Sequence, residues 1–342
     1  MSSFYFDKVT LNDYEMKPER FNNDQDKHAR LYCVESIGTW FLNGTDNPPI
    51  SYFKHMNTDS ARWAGIVECG DGPLSIQKAI HIKDLAQGKD RTIPYHKSND
   101  NPVVYEDECL NPYYKRTYYE DHIDIIEGDN GSILDVRLEP FPVAFFIHIC
   151  EQFPVSTFYS RPCIMTGTYE GKPVKGICHD VKQYIPDMNE DRSSQETSYQ
   201  KTTEYLTADC SGVREDGRKE YAFFNGALGH MCGGYWLEGE EPVVDDNVEL
   251  IGVWKHLPYV DDGTCVMTDF IFKIKHKTIH FTGKWGLKGW TDCPNNAKHG
   301  QSQVMGTFYE GDTPYKHTIF HTFVENMEAY DYKLIEKGYT VE

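Results

Sequence analysis

Fourteen histidines and 53 acidic residues supply acid–base groups along this chain, and a few of them stand in an apolar setting where a proton could be directed. His179 lies in Gly176-Ile-Cys-His-Asp-Val181. In a strand, successive side chains face opposite sides, so Ile177, His179 and Val181 share one face and Cys178 and Asp180 the other. A histidine between two apolar neighbours on an interior face serves as a general acid or base near neutral pH. The plainer use of such a residue is a core histidine bonded to a backbone carbonyl. Asp269 precedes Phe270-Ile-Phe272; buried in an apolar cavity its pKa would rise, allowing it to protonate an alkene or carbonyl. His148, within Phe145-Phe-Ile-His-Ile149, and His280, within Thr278-Ile-His-Phe281, are candidate cavity walls. Tyr169, Tyr235, Trp236, Trp254 and Trp285 add flat surfaces suited to an aromatic or isoprenoid ligand.

Other chemistries lack their patterns. His317 and His321 would share a strand face with Ile319 between them, but no acid or thiol at matching spacing completes a metal set, so no metal is expected. The ten cysteines are scattered without a Cys-x-x-Cys pair. Walker, Gly-x-Gly-x-x-Gly, Gly-x-Ser-x-Gly and His-Glu-x-x-His motifs are absent. The formal net charge of -19 repels phosphate backbones and anionic lipid, which argues against nucleic-acid and membrane partners. The longest apolar run, Phe141 to Cys150, carries Pro142 and His148 and falls short of the roughly 20 residues of a membrane helix. The start, Met1-Ser-Ser-Phe-Tyr-Phe-Asp, has no basic region followed by an apolar one. A cytoplasmic protein with reduced thiols is the expectation.

The elements that must position these residues read as strands. Aromatics make up 14% of the chain, and they favour half-buried pleated surfaces. Short runs such as Phe145–Cys150, Phe270–Ile274 and Thr278–Thr282 are separated by Gly, Pro, Asn and Asp clusters. Asn130-Gly131 and Asp216-Gly217 beside such runs predict hairpins. Gly226 to Gly234 is glycine-rich without phosphate-loop spacing and predicts a tight bend or close backbone approach. A longer pattern repeats: Met165-Thr-Gly-Thr-Tyr-Glu-Gly171 resembles Met305-Gly-Thr-Phe-Tyr-Glu-Gly311, aligning Tyr169 with Tyr309. A repeat spaced this far apart predicts a duplicated domain, with the two hairpins in corresponding places. The polar stretch 187–203 is the expected linker between an N-terminal half, 1–186, and a C-terminal half, 204–342.

The repeated hairpin, Met165-Thr-Gly-Thr-Tyr-Glu-Gly-Lys-Pro-Val-Lys-Gly176, resembles the tandem lipocalin-like family that includes carotenoid 1,2-hydratases and kievitone hydratase. Fungal cyclases that form decalin rings share a similar two-half layout. Where the hydratases often continue with a Gly-rich step and an acid, this chain reads Gly176-Ile-Cys-His179-Asp180. The resemblance implies an all-β chain of two lipocalin-like β-barrel or β-sandwich halves packed together. It also implies a cofactor-free hydratase, dehydratase, isomerase or cyclase for an apolar phenolic or isoprenoid small molecule. From strand alternation, His179 is the expected catalytic group, with Asp269 or another acid as its partner. A non-catalytic carrier of the same molecules is the alternative, since apolar barrels also simply bind.

Overall fold

The computed structural model describes residues 3–7, 30–57, 61–70, 76–85, 95–96, 103–107, 114–149, 156–185, 205–227, 230–257, 261–288, 302–311, 315–326 and 329–342. The expected linker, 187–203, lies outside the described residues. Among the described residues the fold is almost entirely antiparallel β. No helix among them is long and apolar enough to cross a membrane.

The first sheet has 13 strands. They are β1 (Ser3–Asp7), β2 (Arg30–Phe41), β3 (Ile50–Asn57), β4 (Ala61–Cys69), β5 (Ile76–Leu85), β6 (Tyr95–His96), β7 (Val103–Asp107), β8 (Tyr114–Tyr118), β9 (Ile123–Glu127), β10 (Leu134–Pro140), β11 (Ala144–Ile149), β12 (Ser156–Tyr169) and β13 (Lys172–Ile185). The order β5-β4-β3-β2-β13-β12-β10-β9-β8-β7-β6 curls around a core that joins Trp40, Tyr52 and Ile66 to Ile123, Ile125, Leu134 and Cys178. β11 branches from β12 and carries β1 on its other side.

The second half is a closed barrel of β14 (Tyr205–Arg214), β15 (Lys219–Ala227), β16 (His230–Leu237), β17 (Val243–His256), β18 (Cys265–Ile274), β19 (Lys277–Lys288), β20 (Ser302–Glu310) and β21 (His317–Asn326). An eight-stranded barrel is just wide enough for side chains to fill. Here Phe224, Phe270, Phe272, Phe281 and Phe308 do so, with Phe224 stacked on Phe272 at 3.8 Å. One end is closed by a short helix, α1 (Asp331–Glu336), whose Leu334 joins Trp254 and Leu257 in the core. The hairpin turns after β14, β16, β18 and β20 gather at the opposite end.

Both hairpins of the repeat occupy the same place: β12–β13 and β20–β21 are the last hairpins of their halves, and β13 and β21 each pair back to an early long strand, β2 and β14. The match in space is one residue out of step with the match in sequence. Tyr169 points into its core, whereas Tyr309 points out beside His280 and Phe308 takes the inward position. The glycines two residues earlier explain the slip. A Cβ on Gly167 would lie 2.1 Å from the Asp135 carbonyl oxygen, and one on Gly306 would lie 2.1 Å from that of Thr282. Each glycine lets two strands approach closely, and that contact sets the register more strongly than the Tyr-Glu-Gly triplet. Gly306→Ala is therefore expected to lose about 1–3 kcal/mol through overpacking against rigid backbone. Urea titration checks this, and a loss under about 0.5 kcal/mol would show that β19 and β20 do not approach so closely. The Gly226–Gly234 stretch holds a similar approach, since a Cβ on Gly233 would meet the Phe224 ring at 2.2 Å.

The halves meet along a buried seam. Phe145 stacks on Phe223 at 4.3 Å, and Phe41 lies 5.0 Å from Phe320. Ile177 joins the cluster of Tyr221, Phe223, Trp236 and Ile319, and Val181 joins that of Phe320 and Phe323. β13 is thus covered on both faces.

Candidate functional site

Three buried polar clusters lie on these elements. The first is inside the N-terminal half. Asp180 accepts from Arg116 Nη2 at 2.5 Å, the Tyr118 hydroxyl at 2.9 Å and Lys182 Nζ at 3.0 Å, with Arg161 at 3.6 Å. All four charged side chains are fully buried. Burial alone would raise the Asp180 pKa, but the facing cations hold it far below the usual carboxylate range. Burial, with Arg161 and Arg116 acting against Asp180, pushes Lys182 down to about 8.

The second cluster is in the seam and contains His179. Its Nδ1 lies 3.0 Å from both Ser160 Oγ and Asp209 Oδ2, and its Nε2 lies 2.6 Å from Ser211 Oγ. The His321 ring is 4.6 Å away. Burial, and then His179, hold His321 well below the ordinary histidine range. The face shared by Ile177, His179 and Val181 does not line a barrel interior, as alternation predicted; it turns to the second half, and Asp180 turns inward instead. With both faces of β13 buried, alternation separates them but does not tell which looks inward.

The third cluster lies at the turn-bearing end of the closed barrel. β14 and β15 bring Arg214 and Glu220 to either side of their turn, and β21 begins at His317. Glu220 accepts from Arg214 Nε at 2.9 Å and Nη2 at 2.5 Å, and from the hydroxyls of Tyr235 at 3.0 Å and Tyr315 at 2.7 Å. His317 Nε2 closes the ring of contacts on Glu220 Oε1. Burial would raise the Glu220 pKa, but the His317 and Arg214 contacts bring it below the usual value. Burial, and then Glu220, push the Tyr315 hydroxyl up, so it remains a phenol and a proton donor. At the rim Lys277 bonds Glu310 at 2.8 Å and Glu240 at 2.9 Å. Lys277 also lines a cleft of about 400 Å³ with Glu240, Glu241, Pro242, Val243, Lys275 and His276. Small-molecule sites begin near this size.

The residues singled out from sequence do not converge. Asp269 is exposed and pairs with His280 at 3.2 Å on the outer wall of the barrel; Phe270 and Phe272 take the inward positions, so the expected apolar cavity acid is not there. The acid beside His179 is Asp209, not Asp269. Tyr169 is inside the N-terminal half, bonded to Glu68 at 3.1 Å. Trp236 is in the seam, and Trp254 is in the barrel core near Tyr339. Tyr235 alone of them belongs to the Glu220 cluster. The side chains of His148 and Trp285 lie outside the described residues. His317 and His321 do not share a face: His317 points into the barrel and His321 into the seam, because the β14–β21 register shifts between Val213 and Arg214. Sequence reasoning missed Glu220, Arg214 and Tyr315. The Asp216-Gly217 turn was the available signal, since polar residues flanking a barrel turn gather at its mouth.

The fold and its clusters define an all-β protein of two antiparallel halves, one of them a closed barrel with a charged mouth. Its solved structural likenesses include a protein designated AttH from Nitrosomonas europaea and kievitone hydratase from Nectria haematococca. The first is 14% identical, covering 90% of this chain and 97% of that one, with a TM-score of 0.48. The second is 9% identical, covering 95% of this chain and 96% of that one, with a TM-score of 0.42. No family model and no curated protein matches the sequence.

Proposed function

We propose that the protein is an enzyme of acid–base chemistry, a hydratase or dehydratase, isomerase or cyclase, acting on an apolar phenolic or isoprenoid molecule at the mouth of the closed barrel. The observation that carries this reading is the buried Glu220–His317 pair, which Tyr235 joins to Lys277 in the lining of the rim cleft. A carboxylate that orients an imidazole is the standard support for proton transfer near neutral pH. Tyr315 donates to Glu220 and lies 5.2 Å from the His317 ring, so it orients the pair rather than giving up its own proton. Arg214, 3.9 Å from the Tyr315 ring, supplies fixed positive charge for an oxygen that gains negative charge. Pro242 and Val243 give the cleft an apolar wall for the substrate's body.

The test is a panel of phenolic and isoprenoid compounds, with binding followed by tryptophan fluorescence and reaction by the gain or loss of one water or by isomer separation. Wild type is expected to convert at least one compound. His317→Gln is expected to bind it and to turn it over about 10²-fold or more slowly. Equal turnover in folded His317→Gln overturns the assignment. Binding without conversion in wild type moves the protein to the carrier reading.

A further inference from the structure

We propose that the seam between the two halves holds a divalent transition-metal ion, zinc in the first instance, on His179, Asp209 and His321. One donor atom from each residue lies within 4.8 Å of the others, and all three residues are buried. His179 comes from β13 of the first half, and Asp209 and His321 come from β14 and β21 of the second.

Hydrogen bonding alone leaves this cluster incomplete. Asp209 Oδ1 and His321 Nε2 are buried, and neither has a hydrogen-bond partner. A bare buried acceptor ordinarily loses about 1–3 kcal/mol. A single cation would satisfy a carboxylate oxygen and an imidazole lone pair together. The remaining ring nitrogens are already arranged for ligation. His179 Nε2 lies on Ser211 Oγ at 2.6 Å, which leaves Nδ1 for the ion. His321 Nδ1 lies on Thr39 Oγ1 at 2.9 Å, which leaves Nε2. A metal-binding histidine characteristically has its second nitrogen held in this way. Ser160 Oγ, 3.0 Å from His179 Nδ1, donates to Asp209 Oδ2 at 2.9 Å and holds that carboxylate in place, so the fourth position would fall to a water. Zinc takes four donors at about 2.0–2.2 Å, so the pair now 3.0 Å apart would open slightly and the donors lying up to 4.8 Å apart would draw in.

A competing use of the same atoms is serine activation, because Ser211, His179 and Asp209 form a hydroxyl–imidazole–carboxylate chain. Ser211 has no exposed surface, and that chain leaves both His321 Nε2 and Asp209 Oδ1 unexplained. The metal accounts for both. The site also explains why polar groups interrupt an apolar seam. Its ligands come from both halves, so the ion acts as a clamp between them.

The test uses the full chain, stripped with a chelator and titrated with zinc alone by calorimetry, and in parallel with cobalt(II) followed by visible absorption. One ion per chain is expected, with the visible band of a tetrahedral cobalt site. Asp209→Asn and His321→Gln should each weaken zinc binding by at least about 10-fold. Ser211→Ala and Thr39→Ala should weaken it by about 10–100-fold. Zinc binding of equal strength in the His321→Gln and Asp209→Asn proteins overturns the proposal. If those variants do not fold, wild type alone decides, and the lack of stoichiometric zinc or of a tetrahedral cobalt band overturns it. Labelling of Ser211 by a fluorophosphonate also overturns it, by assigning His179 to serine activation.

Discussion

Asp180→Asn is expected to lose about 3–5 kcal/mol of stability, because it removes the carboxylate that faces buried cations and leaves them in place. The direct contacts at stake are those to Arg116, Tyr118 and Lys182. The loss should depend on pH in a defined direction. Native Lys182 titrates near 8, below the 10.5 of an ordinary lysine, so the fold already disfavours its cation. Without Asp180 the pKa falls further. The native variant then sheds a proton that its unfolded chain keeps, and the penalty grows as pH drops below 8. The gap between wild type and variant should therefore narrow as pH rises from 6 to 8, by up to about 1.4 kcal/mol per pH unit. Adding Lys182→Met to the variant should recover part of the loss, since it removes one stranded charge. Urea titrations of the three proteins at pH 6, 7 and 8 measure all of this. A single variant within about 1 kcal/mol of wild type at pH 6 would falsify the picture of Asp180 as the charge these cations need.

Glu220→Ala is the second large effect, again about 3–5 kcal/mol, and at a different end of the molecule. It strips Arg214, Tyr235, Tyr315 and His317 of their common acceptor inside a barrel mouth. Glu220 has its pKa depressed in the native state, so its contribution is present above the unfolded carboxylate value and is lost as pH falls through and below it. The variant should therefore show a shallower decline in stability below about pH 4.5 than wild type, as well as a lower plateau at neutral pH. Thermal melts from pH 3 to 7 test both parts. A parallel acid limb in the two proteins would mean that Glu220 is not the carboxylate whose protonation weakens the barrel. The residues involved do not overlap those of the Asp180 experiment, so the two losses should add within about 0.5 kcal/mol if both variants are combined.

The strands and turns were legible because their signals are local. Asn130-Gly131 joins β9 to β10, with Asn130 at φ 53, and Asp216-Gly217 joins β14 to β15, with Gly217 at φ 87. The all-β class and the place of the repeated hairpin followed from the same kind of pattern. The sites were not local. Alternation separated His179 from Asp180 correctly, but the choice between interior and seam depends on which face of β13 meets the other half. No residue of β13 records that. His317 and His321 were separated by a register shift that is set by the pairing strand, β14, some hundred residues earlier in sequence. The partners of His179, and Tyr235 and His317 at Glu220, likewise arrive from other strands, beyond the reach of spacing arguments; only Arg214, across the Asp216-Gly217 turn, was within it.

In each half the last strand pairs back to the strand near its start, and this has a consequence for how the chain folds. β2 spans residues 30 to 41 and takes β13, residues 172 to 185, as its neighbour; β14 in turn takes β21. During synthesis β2 must therefore keep one edge unpaired while more than a hundred residues are added, and β14 does the same. Pairings so distant along the chain are slow to form, and an open strand edge is a template for association with another copy. Folding of this protein should thus be limited by the arrival of β13 and β21, and the interval before each arrives is when a nascent chain depends most on chaperones.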